Sequence, residues 1–486
     1  MMGRENPPQP SLFYTGISLD KRVRSDHMLR KVARLVDFDF VYAEVKGSYG
    51  YNGNVSVPPP MILKLMLLLV LYNVRSEREL MATLPERLDW LWFLGLELDS
   101  EIADHSVLSK ARRRWGVELF RSFFERVVWQ CVESGLVDGH KLFCDSSLIE
   151  ADASCNSVVD TQGLERYLNP AYREFEARLE EREEKENRED GPQGTSPRRN
   201  IVNQRYTSLT DPDASVVRKG RGKADLHYQT HRGIDGAYGV ITATVVGPGD
   251  ENEAHRSGDL LQDHGTHTQR SAEVVVADIK YGTTANFLDC YDRGVLAHIP
   301  VLKQTQDRHE RRRKIFPENA FVYESQTDAY TCPAGQTLKR RKHWVERKAF
   351  EYVTARGVCQ QCSLRIQCTR SQSAGRTLKR HERQEILDRL RLHAQSRSAK
   401  RDILIRQHFM ERSFAQATRF GFKRARWRGQ WRVQIQDYLI AIAQNVALLI
   451  AHAWPKPRVV LAAGTKGAGD FAIFDSIAWR ETELVI

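Results

Sequence analysis

Three carboxylates, Asp145, Asp278 and Glu411, stand where a fold can bring them together although more than a hundred residues separate neighbours. Asp145 lies in the strand-like run Lys141 to Ile149. Asp278 ends the run Glu273 to Asp278, and Glu411 falls in a helix-compatible stretch from Ile403 to Arg419. Hard oxygen ligands are what Mg²⁺ (or Mn²⁺) prefers, and the ion keeps several waters, so few carboxylates suffice. Two such ions ~3.5–4 Å apart neutralise the attacking and leaving oxygens of an in-line displacement at phosphorus, which is what phosphodiester cleavage requires. The three side chains are therefore read as ligands to two metals, Asp145 shared and Asp278 and Glu411 each completing one. Asp152 and Asp289 are the nearest rivals and are less well placed.

A second group is built from sulfur. Cys332, Cys359, Cys362 and Cys368 form Cys-x26-Cys-x2-Cys-x5-Cys, a donor set that suits one structural Zn²⁺; free thiols are the alternative. Cys131, Cys144, Cys155 and Cys290 sit in apolar surroundings and read as core residues. Eight cysteines in 486 residues are too few for a disulfide scaffold. Two basic stretches point to phosphates. One is Lys110, Arg112, Arg113 and Arg114 on a helix capped at Asp104, with Val107, Leu108, Ala111 and Trp115 on its apolar face. The other runs from Arg419 to Arg432 without an acid and mixes Arg419, Lys423, Arg424, Arg426 and Arg428 with Trp427 and Trp431, offering cations and stacking faces together. For both, a solvated or packed surface is the alternative.

The elements that must hold these residues read as a multidomain α and α/β chain. Residues 1–137 form an all-helical domain for DNA binding and dimerisation: Pro58-Pro59-Pro60 starts an apolar helix, Ser76 opens another, and a helix carrying Leu119, Phe120, Phe123, Phe124, Val127 and Val128 stops at Gly135. From Lys141 the order becomes strand (141–149), strand (226–232), a turn at Asp235-Gly236, strand (240–246), helix (252–263), strand (273–278), helix (284–292) and strand (297–302). That β-β-β-α-β-α-β order is the order of an RNase H-like mixed sheet, in which carboxylates on the first strand, the fourth strand and a later helix meet at one edge. The catalytic domain spans 138–454. It is interrupted by a charged helical insertion (about 160–222) and by a Cys-rich, zinc-ribbon-like insertion (about 315–375), and residues 455–486 form a tail. Tyr438, Leu439, Ile442, Val446 and Ile450 supply a helical apolar face.

A net charge of +11 favours polyanionic partners. The run Met61 to Tyr72 is too short for the ~20 residues a membrane span needs, and Arg4 with Pro7-Pro8-Gln9-Pro10 does not make a signal peptide, so a cytoplasmic, nucleoid-associated protein is expected.

These residues resemble the DDE transposases of bacterial insertion sequences. The likeness rests on Asp145-Ser146-Ser147-Leu148-Ile149-Glu150-Ala151-Asp152, on Thr210-Asp211-Pro212-Asp213-Ala214 followed by Gly233, and on Ala277-Asp278-Ile279-Lys280-Tyr281-Gly282. Glu411-Arg412-Ser413-Phe414 and Arg424-Ala425-Arg426-Trp427-Arg428-Gly429 complete it. It covers roughly 15–454 and implies an enzyme that binds double-stranded element ends, cuts them and joins the 3′-hydroxyl to target DNA, as a homodimer or larger assembly. The chain departs from the family around Glu411. Leu404 and Gln407 stand seven and four before it and Thr418 seven after, with Arg406 and Arg419 one residue from those places. A nuclease that only hydrolyses and a DNA-binding regulator without catalysis are the alternatives.

Overall fold

The computed structural model describes residues 2–4, 18–50, 55–161, 201–218, 222–301, 314–371 and 374–455. The expected charged helix from Arg173 to Asp190, the linker after it and nearly all of the tail lie outside the described residues. Contacts group the chain into two compact units, one of 1–134, 416–422 and 431–486, the other of 135–415 and 423–430. Where the sequence suggested boundaries at 137 and 454, the C-terminal helix groups instead with the N-terminal helices.

The first unit is helical. Pro59 and Pro60 occupy the first turn of the helix Pro59–Leu71, where their missing N–H groups would be unpaired anyway. That helix is apolar on nearly every side and buried accordingly. The Ser76 hydroxyl caps the helix Glu77–Thr83 by accepting from the Glu79 amide at 3.2 Å. Glu118–Glu133 buries Phe120, Phe123, Phe124 and Val128, and Phe124 stacks on Tyr438 at 5.4 Å. Tyr438 belongs to the helix Gln430–Ala453, which is long and apolar enough to cross a membrane, yet 78% of its apolar window is buried. A core helix with Asp437 and Asn445 wholly enclosed accounts for that composition.

The second unit is built on a six-stranded mixed sheet. Its strands are β1 (Lys141–Glu150), β4 (Ser215–Arg218), β5 (Ala224–Asp235), β6 (Ile241–Pro248), β7 (Val274–Val276) and β8 (Leu296–His298), in the order β4-β5-β1-β7-β8 with β6 also on β5. β1 runs antiparallel to β5 and parallel to β7. Helices Ser257–Thr268 and Thr284–Asp292 follow β6 and β7, and Leu142, Val275, Leu260 and Phe287 share one core. β4 was not expected: it lies inside the stretch read as an insertion. β2 (Val158–Asp160) and β3 (Tyr206–Ser208) form a separate two-stranded ribbon.

The cysteine-bearing stretch folds as an antiparallel five-stranded sheet. It comprises β9 (Val322–Glu324), β10 (Ala329–Thr331), β11 (Thr337–Trp344), β12 (Ala349–Val353) and β13 (Leu378–His381), in the order β13-β12-β11-β10-β9. Its small core is Phe321, Leu338, Tyr352 and Leu378.

Candidate metal centre

Strand register brings the first two carboxylates together. β1 and β7 are parallel, with Phe143 opposite Val276, so two residues further along both chains stand Asp145 and Asp278. Asp278 leaves the sheet and caps the turn Ile279–Tyr281, its carboxylate accepting from the Lys280 amide at 2.9 Å. The third member is Glu253, at the start of the turn Glu253–Arg256 just beyond β6; Asn252 caps that turn through the Ala254 amide. One carboxylate oxygen from each of Asp145, Glu253 and Asp278 lies within 4.8 Å of the other two. Among the described residues no other three His, Cys, Asp or Glu side chains meet so closely.

Glu411 is not in this group. It lies on the exposed flank of the helix Arg397–Arg419 and accepts from Gln407 Nε2 at 2.8 Å. The same helix instead sends Arg406 inward, where its guanidinium sits 2.6 Å from Asp145 Oδ2 and reaches the Cys144 carbonyl. Arg406 had stood one place away from the expected family position.

The electrostatics explain how the carboxylates coexist. Burial pushes the Asp145 carboxyl up, while Arg406 and the Ser146 amide hold it down and Asp278 adds to the rise. Lys280 Nζ lies 2.5 Å from Glu253 Oε1, and that bond raises the ammonium above its usual range. Three negative groups face two positive ones, so one charge is left uncompensated. Each Asp145 oxygen takes one partner, Ser146 or Arg406, and a carboxylate oxygen keeps a second lone pair. Beside them the Tyr281 hydroxyl is buried without a hydrogen-bond partner, and that burial, with smaller contributions from Cys144 and the three carboxylates, raises its pKa. An orphaned hydroxyl beside clustered, half-buried carboxylates is the donor chemistry that a hard divalent cation fits.

The basic candidates divide. Arg112, expected to face DNA, is instead buried and ion-paired with Glu77; it lies on the inner face with Leu108, Ala111 and Trp115 and is turned away from solvent. Lys110, Arg113 and Arg114 are exposed, and Arg114 lies over Tyr49. Arg419, Lys423, Arg424 and Arg428 are exposed, whereas Arg426, Trp427 and Trp431 are half-buried. Arg424 donates to the Asp152 carboxylate at 3.4 Å and Arg428 Nε to the Asp152 backbone carbonyl at 2.7 Å. The backbone here continues the main sheet: Glu150 N donates to Lys423 O and Ala425 N to Glu150 O. Asp211 and Asp213 receive the amides of Gly429 and Gln430, so the Thr210–Ala214 motif fixes the end of the basic segment.

The four candidate zinc thiols line one small cavity with Phe316, Leu338 and Arg376. The Cys332 turn closes by a Gly335 N to Cys332 O bond, and the Gln336 amide points at Cys332 Sγ at 3.3 Å. A Cβ on Gly375 would fall 2.7 Å from Cys359 Sγ. Burial raises the Cys368 thiol.

Two family models match the chain: a transposase domain (DUF772) over residues 17–114 and a transposase DDE domain over residues 331–450. The second includes the four cysteines, Glu411 and the Lys423 to Arg428 segment; neither includes Asp145, Glu253 or Asp278. No curated protein gives a significant match.

Proposed function

We propose that this chain is a DDE transposase of the insertion-sequence type, a reading the two transposase-domain matches support, and that it binds element ends, cleaves them and transfers the 3′-hydroxyl to target DNA. The observation that carries this reading is the meeting of Asp145, Glu253 and Asp278 at one end of the β1–β7 pair. The six-stranded unit is then an RNase H-like catalytic domain. Asp145 and Asp278 hold divalent metal, two ions of Mg²⁺ or Mn²⁺, with Glu253 as the carboxylate that the fold already brings beside them. Glu411 is proposed as the ligand contributed by the long helix. When bound, such ions generate the nucleophile and neutralise the leaving oxygen.

The protein's own groups set up that chemistry. Arg406 fixes one oxygen of Asp145 and so orients the other, and Lys280 restrains Glu253. Lys110, Arg113, Arg114, Arg419, Lys423, Arg424, Arg426, Trp427, Arg428 and Trp431 are proposed DNA contacts. Cys332, Cys359, Cys362 and Cys368 are proposed to hold one structural zinc, whose ligation contributes folding free energy. The protein works on the nucleoid in the cytoplasm, as a homodimer or larger synaptic complex.

An oligonucleotide strand-transfer assay tests this reading. Joined products that require Mg²⁺ or Mn²⁺ and vanish in Asp145→Asn support it. Nicks without joining identify a hydrolytic nuclease, and DNA binding indifferent to Mg²⁺ identifies a regulator.

A further inference from the structure

The Cys-bearing sheet has one covered face and one open face. Leu338, Tyr352 and Leu378 turn to the covered side, where Arg340 lies over Phe350 and Arg380 over Tyr323. On the open side Lys342, Glu351 and Lys379 stand opposite one another across β11, β12 and β13, with Trp344 two residues beyond Lys342. The register shifts between Arg340 and Lys342. Such a bulge turns an extra side chain onto a face, and Arg341 reaches the same Glu351 at 2.8 Å.

Three cations from three segments converge on one indole. Lys342 Nζ lies 3.8 Å from the Trp344 ring centroid, Lys379 Nζ 5.6 Å and the Arg347 guanidinium 5.7 Å. All three are exposed, and among the described residues none is ion-paired. A merely solvated sheet face spreads its cations, because like charges repel. Here the fold gathers them, and the only carboxylate in the row, Glu351, is buried and already engaged by Arg341.

We propose that this open face of β11–β13, centred on Lys342, Trp344, Arg347 and Lys379, is a further DNA-contact surface that grips the phosphate backbone of duplex DNA. The inference rests on the transposase reading for its choice of polyanion. Convergent cations on a rigid sheet meet phosphates as point charges, and the ring keeps the long side chains extended over the surface. No base edge is read, so binding through this face is indifferent to sequence.

The test measures affinity of the full chain for a duplex of arbitrary sequence as salt is varied. In the K342Q/R347Q/K379Q variant the slope of log K against log salt should shrink by up to about 2.7, about 0.9 for each lost contact. The charge-preserving K342R/R347K/K379R variant should keep the wild-type slope. An unchanged slope in the first variant, with the wild-type melting temperature, overturns the proposal and leaves the transposase reading standing. An equal loss of slope in both variants overturns it too, since charge would not be the cause. Failure of the wild-type chain to bind duplex at all overturns the transposase reading and this inference with it.

Discussion

The carboxylate centre and the Cys-bearing sheet put candidate functional residues on β-structure in opposite ways. Asp145, Glu253 and Asp278 come from the middle of one strand and from turns after two others, and they meet because β1 pairs in parallel with β7 and, through β5, with β6 across long connections. In the other sheet β9 to β12 follow one another as antiparallel neighbours, each paired with the next, so Lys342 and Trp344 are neighbours by local chain path. The first site depends on the whole domain being folded; the second depends on one small core. Damage to each should therefore spread differently.

The most severe test strikes the long-range site. Asp145→Asn and Asp278→Asn should each lower metal-dependent cleavage by about a hundred- to a thousandfold, the scale of removing a preorganised electrostatic group from a reacting centre, while duplex binding stays close to wild type. Glu253→Gln and Glu411→Gln, assayed in parallel, rank the two candidates for third ligand. Cleavage at wild-type rate in Glu253→Gln would show that its place in the cluster is structural. At the local site, Cys359→Ser with Cys362→Ser should take bound zinc from about one per chain to near none, as elemental analysis reads it. The same variant should melt the small sheet before the large one, and a single coincident transition would break the contrast.

A smaller effect separates packing from contact on the helix Ser106–Trp115. Arg112→Gln leaves the half-buried Glu77 without its partner and puts a new polar group at a buried position, and should destabilise the helical unit by about 1–3 kcal/mol in denaturant titration. Arg113→Gln, on the exposed face, should change stability by less than about 0.5 kcal/mol. A further effect, confined to acid pH, concerns the scaffold of the carboxylate centre. Burial lowers the His264 imidazole to about 4, with the Thr242 hydroxyl 2.8 Å from its Nδ1. The unfolded chain takes up that proton near pH 6.5, so stability is present above that pH and is lost as pH falls toward about 4, at about 1.4 kcal/mol per pH unit. His264→Gln should flatten that part of the pH dependence; an unaltered slope would place the acid sensitivity elsewhere.

Much of the main sheet was legible because its strands are apolar runs bounded by turn residues. β1, β5, β6, β7 and β8 fall within a few residues of their expected limits. β4 was hidden by its brevity and by the polar stretch around it, since Ser215–Arg218 becomes a strand only by pairing with the start of β5. Glu253 was hidden in Asp250-Glu251-Asn252-Glu253, where acids read as an ordinary helix start. Nothing in that run distinguishes it until β6 delivers it beside Asp278. Arg112 was legible in hindsight: positions 108, 111, 112 and 115 are a helical stripe, but the pairing Glu77 is thirty-five residues away.

The two backbone bonds that tie Glu150 to Lys423 and Ala425 give the basic segment a common datum with Asp145. Both are fixed to one strand, five residues apart along it, without an intervening loop. A phosphate gripped by Arg424 or Arg428 would thus be measured off against Asp145 in strand steps of about 3.3 Å each. On the proposed reading the strand would then work as a ruler: where the backbone of the DNA is held would decide which bond is presented for cutting.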